Sequence, residues 1–309
     1  MRVRSTFGLG LKSVTAESDP PETMVPNDDE PVLDRSIGSF IRQVRQLSDG
    51  QIDEILAFQR QYGVRFGEAA VALKLASRDD VLWALSQQFH YPYAPNDGAS
   101  FNSELVAAVD PFNVQTEAVR GIRSQLMLGP MAPDQPRKAL AVLSPNVGDG
   151  KSFFAANLAI AFSQVGGRTL LIDADMRTPR QHVLFDVPNE TGLGSILAGR
   201  AESSAIHGVS NLPSLFVLPV GTLPPNPLEL LQRPAFALLI RELLTKFDHI
   251  VVDTPASTHG ADCRVLAAKC GIAMMIGRRG SSRMKALNGL INDVTRGSAI
   301  FAGVVINDY

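Results

Sequence analysis

The sequence predicts an α/β fold, with a mostly parallel sheet flanked by helices, preceded by a small, mainly helical domain built from a repeat. Two observations predict it. Beyond residue 110, short apolar runs, several of them rich in β-branched residues, alternate with helical patterns. Before residue 94, apolar residues recur at helical spacing in two similar copies. A parallel sheet binds its ligands at the carboxyl ends of its strands, so we look for function there.

The composition is that of an ordinary water-soluble protein. The chain has 309 residues, of which 45% are hydrophobic, and a net charge of −2, so no basic excess indicates nucleic-acid binding. Cys263 and Cys270 have no metal-site spacing and are expected to be buried thiols of a reducing cytoplasm. No run reaches the roughly 18 apolar residues of a membrane helix. Any association with a membrane must therefore come through a partner.

Composition also predicts the domain boundaries. Residues 1–34 are rich in Pro, Asp, Glu, Ser and Thr, too polar to offset the entropy of ordering, so we expect a flexible tail. A helical repeat domain is predicted over residues 35–93. Residues 94–110 have loop composition and are predicted to be a linker. The α/β domain is then residues 111–309.

The repeat domain contains two copies of one pattern, 29 positions apart. Gly38 and Ser48 of the first copy correspond to Gly67 and Ser77 of the second. Each serine is followed within two positions by an acidic residue and then by an apolar stripe at helical spacing, which predicts that it caps a helix. The pattern resembles the N-terminal domain of type II secretion ATPases.

Related repeats in those ATPases sometimes bind cyclic di-GMP. Arg65-Phe66-Gly67 resembles one Arg-Leu-Gly element of the nucleotide-binding version, but Ser36 stands at the arginine position of the first copy. Arg45 and Lys74 occupy the positions of the later glycines. We therefore expect protein docking rather than tight binding of cyclic di-GMP.

Residues 143–152, LSPNVGDGKS, lie between an apolar strand pattern and an Ala-rich helical pattern. They match the phosphate loop G-x-x-x-x-G-K-S/T except at Pro145. Gly148 and Gly150 allow unusual backbone dihedrals, and amides at the start of the helix can face phosphates. Lys151 is expected to bridge phosphates, and the Ser152 hydroxyl to bind Mg²⁺. A glycine turn with a solvated lysine is the alternative, but the strand–loop–helix context favours a nucleotide site.

Two further predicted strands end in carboxylates. Asp173 and Asp175 follow one strand on the same side of the extended chain, and Asp253 ends another. Beside a phosphate loop, such acids are the expected holders of Mg²⁺ and its waters. Each alone could form a turn or cap a helix. The three motifs in this order predict a nucleotide-dependent enzyme.

Together these motifs resemble the bacterial tyrosine kinases of polysaccharide biosynthesis, which are relatives of the MinD/ParA-type ATPases. In that family the first residue of the phosphate loop is often not glycine, so Pro145 fits. Glu117, Arg120 and Arg123 match the family's E-x-x-R-x-x-R helix, which joins subunits into a ring. Residues 221–231 follow another family segment. Without the resemblance, the first stretch would be interpreted as a solvated helix with i,i+3 ion pairing. The second would be interpreted as a proline-stiffened turn ahead of a helix.

The resemblance implies ATP and Mg²⁺ as cofactors. It implies that Lys151, Asp173, Asp175 and Asp253 are catalytic, with Asp175 able to accept the tyrosine proton although it is a weak base. For Arg177, contact with phosphate and pairing with a nearby acid both stay open. The implied metal residues are Ser152, Asp173 and Asp253, and the implied nucleotide contacts are Asn146, Gly148, Asp149, Gly150, Lys151, Ser152, Phe153 and, near the adenine, Asn307.

The phosphate acceptor is the point at which this chain departs from the family pattern. Family kinases end in a tail with several tyrosines, whereas this chain has four tyrosines in all. Tyr309 is the natural candidate for the phosphate acceptor. The alternative is that this tyrosine is only the last residue of the chain and accepts no phosphate.

Three functions follow. The first is an exopolysaccharide-locus tyrosine autokinase of the chain-length-determinant type. It would form a ring and dock on the cytoplasmic side of a membrane polysaccharide co-polymerase. The protein would then be cytoplasmic and peripheral to the inner membrane. The second is a nucleotide-switched assembly protein that phosphorylates nothing. The third is a docking or cyclic-dinucleotide module with a passive ATPase, against which the intact metal-binding acids argue.

Overall fold

The computed structural model describes residues 36–88, 101–200 and 205–308. The chain divides into two compact units, Met1–Ser100 and Phe101–Tyr309. The predicted tail 1–34, the first part of the predicted linker and the predicted acceptor Tyr309 lie outside the described residues.

The first unit is helical, as the repeat predicts. Its helices are α1 (Ile37–Arg45), α2 (Asp49–Tyr62), α3 (Phe66–Ala72) and α4 (Arg78–Gln88). Apolar side chains from all four helices form one core, in which Ile41, Ile55, Ala69, Ala70 and Ala84 are fully buried.

Both serines predicted as N-caps have that role. The Ser48 Oγ accepts from the Gln51 N–H at 3.4 Å, while the Gln51 side chain accepts from the Ser48 N–H at 2.9 Å. The Ser77 Oγ accepts from the Asp80 N–H at 3.1 Å, and the Asp80 carboxylate accepts from the Ser77 N–H at 2.6 Å. These reciprocal bonds satisfy amides that the helix itself leaves unpaired, which fixes where α2 and α4 begin.

Gly67 lets α3 approach α4 closely. A Cβ built on Gly67 would lie 2.6 Å from Val81 Cγ1, closer than real Cβ contacts allow. Of the two residues at expected glycine positions, Lys74 has φ +58°, the left-handed conformation that glycine adopts most easily. The other, Arg45, donates from its Nε to the Asp80 carboxylate at 2.6 Å.

The second unit contains a seven-stranded sheet, which confirms the predicted α/β fold. Its strand order is β3-β4-β2-β5-β1-β6-β7, and all neighbours are parallel except the antiparallel pair β3 and β4. The strands are β1 (Ala139–Leu143), β2 (Thr169–Asp173), β3 (His207–Val209), β4 (Leu212–Leu218), β5 (His249–Asp253), β6 (Gly271–Arg278) and β7 (Ile300–Asn307).

Helices cover both faces of this sheet. Successive residues of β1 point to opposite faces, so Leu140 and Val142 join one apolar core while Ala141 and Leu143 join the other. The helices are α5 (Val106–Val109), α6 (Val114–Leu128), α7 (Lys151–Ser163), α8 (Gln181–Leu184), α9 (Leu193–Leu197), α10 (Pro227–Gln232), α11 (Pro234–Leu243), α12 (Asp262–Cys270) and α13 (Met284–Thr295), with a 3-10 helix at Ser257–His259.

Residues 101–110, assigned to a linker from their composition, lie within the second unit. Leu105 and Ala107 are fully buried. The Asn157 side chain, on α7, accepts from the Ala107 N–H at 2.9 Å and donates to the Glu104 carbonyl at 2.8 Å. The linker prediction was wrong for these residues because their helix, Val106–Val109, has four residues, too few to show an apolar repeat in the sequence.

Within the described ranges, no helix is both long and apolar enough to cross a membrane. Cys263 and Cys270 are buried free thiols on α12, as expected from their spacing.

Candidate active site

The loop between β1 and α7 has the backbone that a phosphate cradle requires. Gly148 and Gly150 have φ angles of +83° and +99°, in the left-handed region where a side chain is strained. A Cβ on Gly150 would also overlap the amide nitrogen of Asn307, at the end of β7. The pattern of glycines in the sequence therefore has a direct steric cause.

Buried hydrogen bonds hold this loop in shape. The fully buried Asp149 accepts from the Asn146 N–H at 2.8 Å and from the Ser282 hydroxyl at 2.8 Å. The Asn307 side chain donates to the Asp149 carbonyl at 3.2 Å. Asn146 and Asp149, predicted to contact the nucleotide, thus act here as supports of the loop, and their contact with a ligand stays a prediction.

The loop leads directly into the positive end of α7. Gly150 is the N-cap residue of this 13-residue helix, so the first amides of α7 have no partner within the helix. Lys151 is 5% exposed, and among the described residues no hydrogen bond or ion pair holds its ammonium group. Free amides, a helix dipole and an unpaired lysine together form a site for an anion.

Asp173 and Asp253 end adjacent parallel strands and lie opposite each other in the register of β2 and β5. Both carboxyls are fully buried. One oxygen of Asp253 accepts from the Gln181 side chain at 2.8 Å, whereas its Oδ1 has no partner among the described residues. A buried carboxylate oxygen without a donor is costly, and a cation or its bound water would satisfy it.

Burial sets the acidity of this pair. Burial raises the pKa of Asp253 to about 6, against the opposing effects of the Lys151 charge, of the Gln181 hydrogen bond and of the nearby Ser152 side chain. Burial, and next the charge of Asp253, raise the pKa of Asp173 well above its ordinary value. Two neighbouring buried carboxyls resist ionising together, and a divalent cation between or beside them would relieve that repulsion.

Asp173 organises the loop that follows β2. Its carboxylate accepts backbone hydrogen bonds from Asp175 at 3.1 Å, from Arg180 at 3.0 Å and from Gln181 at 3.0 Å. Both of its oxygens are therefore already used by amides. A place in the second layer around a metal, through water, fits this arrangement better than direct ligation, and its catalytic role stays a prediction.

Asp175 and Arg177 are also held by their surroundings. Asp175, 1% exposed, accepts from the Thr178 N–H and hydroxyl, both at 2.9 Å. The Arg177 Nε donates to the buried Asp262 at 3.0 Å. The sequence leaves two roles open for Arg177, contact with phosphate and pairing with an acid. In the structure Arg177 pairs with an acid.

Gln181 is a site residue that sequence reasoning missed. Its side chain donates both to the Ser152 carbonyl at 3.1 Å and to Asp253 at 2.8 Å, and its N–H donates to Asp173. It therefore ties the phosphate loop to the ends of β2 and β5. Nothing in the sequence marks it except its position eight residues beyond Asp173.

A cavity of about 540 Å³ opens over the phosphate loop, which is within the range of nucleotide-sized sites. It brings together six residues predicted to contact nucleotide with residues that were not predicted. Its lining consists of Ser103, Glu104, Val106, Gln115, Gly148, Gly150, Lys151, Ser152, Phe153, Arg180, Arg278 and Asn307.

Metal binding would need ligands from outside the protein. In the part of the chain that the structure describes, no group of three or more His, Cys, Asp or Glu side chains could hold an ion. Mg²⁺ commonly takes one or two protein ligands and completes its shell with phosphates and water. Ser152 and Asp253, with its unpaired oxygen, fit that requirement.

The helix predicted to join subunits packs on the phosphate-loop helix of its own chain. Glu117 and Arg120 pair at 3.1 Å within α6, an i,i+3 contact. Arg123 donates to the Ala161 carbonyl, on α7, at 2.8 Å. Gln115 of the same helix lines the cavity. The role of these residues in a ring stays a prediction.

Comparison with known proteins agrees with this geometry. The CobQ/CobB/MinD/ParA nucleotide-binding domain family matches residues 140–309. CapB of Staphylococcus aureus, named as a tyrosine-protein kinase, is 34% identical over 208 residues, which are 66% of this chain and 89% of CapB. The tyrosine-protein kinase wzc of Salmonella typhimurium is 31% identical over 205 residues, which are 66% of this chain but 28% of wzc. The kinase domain of the Escherichia coli tyrosine kinase ETK superposes with a TM-score of 0.62 at 29% identity, covering 66% of this chain and 79% of that domain.

Proposed function

Because this chain belongs to the CobQ/CobB/MinD/ParA nucleotide-binding family, and within it to the bacterial tyrosine-protein kinases, we propose that it is an ATP-dependent protein tyrosine kinase. The single observation that carries the proposal is the buried Asp253 carboxylate. It has an unpaired oxygen, and it lies at the strand end beside Lys151 and the phosphate loop. That combination of a cation site and an anion site suits a nucleotide with its metal.

The protein's own groups would bind and orient the nucleotide. The amides from Gly148 to Ser152 and the Lys151 ammonium would neutralise the phosphates. Ser152 and Asp253 would hold Mg²⁺, with Asp173 contributing through water. When bound, Mg²⁺ supplies charge that neutralises the oxygens of the transferring group. Asn307, beside the loop on β7, would contact the base.

The acceptor hydroxyl needs only a weak base. Phosphoryl transfer through a loose transition state depends mainly on positioning and on charge neutralisation. We therefore retain Asp175 as the group that takes the tyrosine proton, next to Asp173 on the same loop. Tyr309, or a tyrosine of a partner, is the proposed acceptor.

The relatives differ in how much of their own length this chain matches. The chain covers most of CapB, but only 28% of wzc. We propose that it docks on the cytoplasmic side of a membrane polysaccharide co-polymerase and regulates exopolysaccharide chain length. Copies would join in a ring through Glu117, Arg120 and Arg123, and residues 35–93 would act as a protein-docking domain.

Phosphotyrosine mapping tests the activity. Purified protein is incubated with Mg-ATP, with and without the cytoplasmic segment of its membrane partner, and phosphotyrosine is located by mass spectrometry. Lys151→Met should abolish labelling of Tyr309 or of the partner, while Lys285→Met, at an exposed lysine of α13, should leave it unchanged. ATP hydrolysis without any phosphotyrosine would instead indicate a nucleotide-switched assembly protein.

A further inference from the structure

An ion pair joins two residues that line the cavity over the phosphate loop. The Arg180 guanidinium contacts the Glu104 carboxylate, although the two residues are 76 positions apart. Both side chains are partly exposed, Arg180 by 49% and Glu104 by 34%. Glu104 is the one acidic residue among those that line the described cavity. A carboxylate in a cavity built for phosphates requires an explanation.

The backbones on the two sides of this pair are fixed. The Arg180 N–H donates to the Asp173 carboxylate at 3.0 Å, at the end of β2. The Glu104 carbonyl accepts from the Asn157 side chain at 2.8 Å, on the phosphate-loop helix α7. Because buried groups anchor both backbones, rotation of the two side chains is enough to break the contact.

The position of Arg180 in the sheet indicates which part of a nucleotide it would meet. Strand order places β1, which leads into the phosphate loop, between β5 and β6, with β7 at one edge. Asn307 ends β7, whereas Arg180 follows β2, on the other side of β1. A nucleotide with its base near Asn307 and its phosphates on the loop therefore directs its terminal phosphate toward Arg180.

The magnitudes favour an exchange of partners. A partly exposed ion pair contributes little to stability, because water screens it. An arginine–phosphate contact can be bidentate and charge-assisted, and is stronger than that. A terminal phosphate also repels the Glu104 carboxylate while it attracts the guanidinium.

We propose that Glu104 and Arg180 form a latch that distinguishes ATP from ADP. Without a terminal phosphate, Arg180 stays paired with Glu104. When ATP binds, the Arg180 guanidinium leaves Glu104 and donates to the terminal phosphate oxygens. Arg180 is then a specificity-determining residue for the proposed nucleotide site, on which this inference rests.

Calorimetric binding to the full chain tests the latch, with Mg-ADP and with the Mg complex of a non-hydrolysable β,γ-imido ATP analogue. Arg180→Gln should weaken binding of the analogue about tenfold and binding of ADP less than about twofold, since one charge-assisted contact is lost only with the analogue. Glu104→Gln should tighten binding of the analogue about threefold. Arg180→Lys should recover part of the loss.

The double variant and a matched control make the test specific. In the Arg180→Gln background, Glu104→Gln should tighten analogue binding by clearly less than in the wild type. Arg279→Gln, which removes an exposed arginine that pairs with Asp308, should change neither affinity. Thermal melting checks that each variant is folded.

Two results would overturn the latch alone: an equal loss of ADP and analogue binding in Arg180→Gln, or an equal gain from Glu104→Gln in both backgrounds. A wild-type protein that binds neither nucleotide would overturn the latch and the proposed function together.

Discussion

Asp173 and Asp253 face each other across adjacent parallel strands, both fully buried, with one oxygen of Asp253 unpaired. In the absence of a cation, burial and next the charge of Asp253 oppose the ionisation of Asp173, and burial opposes the ionisation of Asp253. The second unit therefore holds unfavourable electrostatic energy at its centre. Function at this position is obtained at the expense of stability.

Asp253→Asn should stabilise the protein without nucleotide at pH 8. The pKa of Asp253 is about 6 when folded and near its ordinary value when unfolded, so folded protein binds the proton more tightly. Stability from this group is present below pH 4 and is lost as pH rises through 6. Asparagine has no proton to lose, so the variant should gain at most about 3 kcal/mol in free energy of unfolding at pH 8. Thermal melts at pH 5 and pH 8 measure this gain.

The gain from Asp253→Asn should be larger at pH 8 than at pH 5. Asp134→Asn, at an exposed acid, is the control and should melt like the wild type at both values. A lower melting temperature of Asp253→Asn at pH 8 would contradict the assignment of strain to this carboxyl. Kinase activity should be lost in any case, because the proposed metal site would lose its charged ligand.

Gly150→Ala should impair nucleotide binding more than Gly148→Ala. Both substitutions strain a backbone with positive φ, at about 1–2 kcal/mol. Only at Gly150 does the new methyl group also overlap Asn307, while at Gly148 nothing lies within 4 Å. Calorimetry with Mg-ADP measures the difference. Adding Asn307→Ala should restore part of the affinity lost in Gly150→Ala, and no restoration would show that the clash is not the cause.

Gln181→Leu should shift the pH dependence of stability upward. Gln181 donates to Asp253 and thereby lowers the pKa of that carboxyl. Without this donor the folded pKa moves above about 6, so the pH at which stability is lost also rises. Activity should fall about tenfold, the effect of one lost buried hydrogen bond of 1–3 kcal/mol. Gln232→Leu, at an exposed position, should change neither the activity nor the pH at which stability is lost. If that pH does not shift in Gln181→Leu, the hydrogen bond from Gln181 does not set the pKa of Asp253.

Gly67→Ala should destabilise the first unit, whereas Gly50→Ala should not. The methyl group at Gly67 would lie 2.6 Å from the stiff Val81 side chain, and nothing lies within 4 Å of a Cβ at Gly50. Gly50→Ala, in α2, should stabilise by up to about 1 kcal/mol. Hydrogen exchange of residues 36–88 in the full chain measures both effects. Val81→Ala should rescue Gly67→Ala; faster exchange in both glycine variants alike would contradict the packing argument.

Features encoded by adjacent residues could be predicted from the sequence. The glycines and lysine of the phosphate loop, the acids at the ends of β2 and β5, and the caps Ser48 and Ser77 depend on local backbone geometry. Each has a short pattern with a physical cause. The fold class could be predicted for the same reason, because each strand and each helix has its own local pattern of apolar residues.

Features created by tertiary contact could not be predicted in this way. Gln181 reaches Asp253 across 72 positions, and Arg180 reaches Glu104 across 76. Ser282 supports Asp149 across 133 positions. None of these residues stands in a pattern of its own, because the strand order alone brings them together. The burial of Leu105, in a stretch of loop composition, has the same origin.

Burial along α7 differs from burial along α13. Eleven of the 13 residues of α7 are buried, whereas α13 buries Leu287, Leu290 and Val294 among its 12 residues. In a saturation-mutagenesis library, α13 should accept polar replacements along most of its length, with intolerant positions only at every third or fourth residue. Along α7, enlarging almost any side chain should be selected against, so the segment that opens the phosphate loop should drift slowly in evolution even where no side chain meets a ligand.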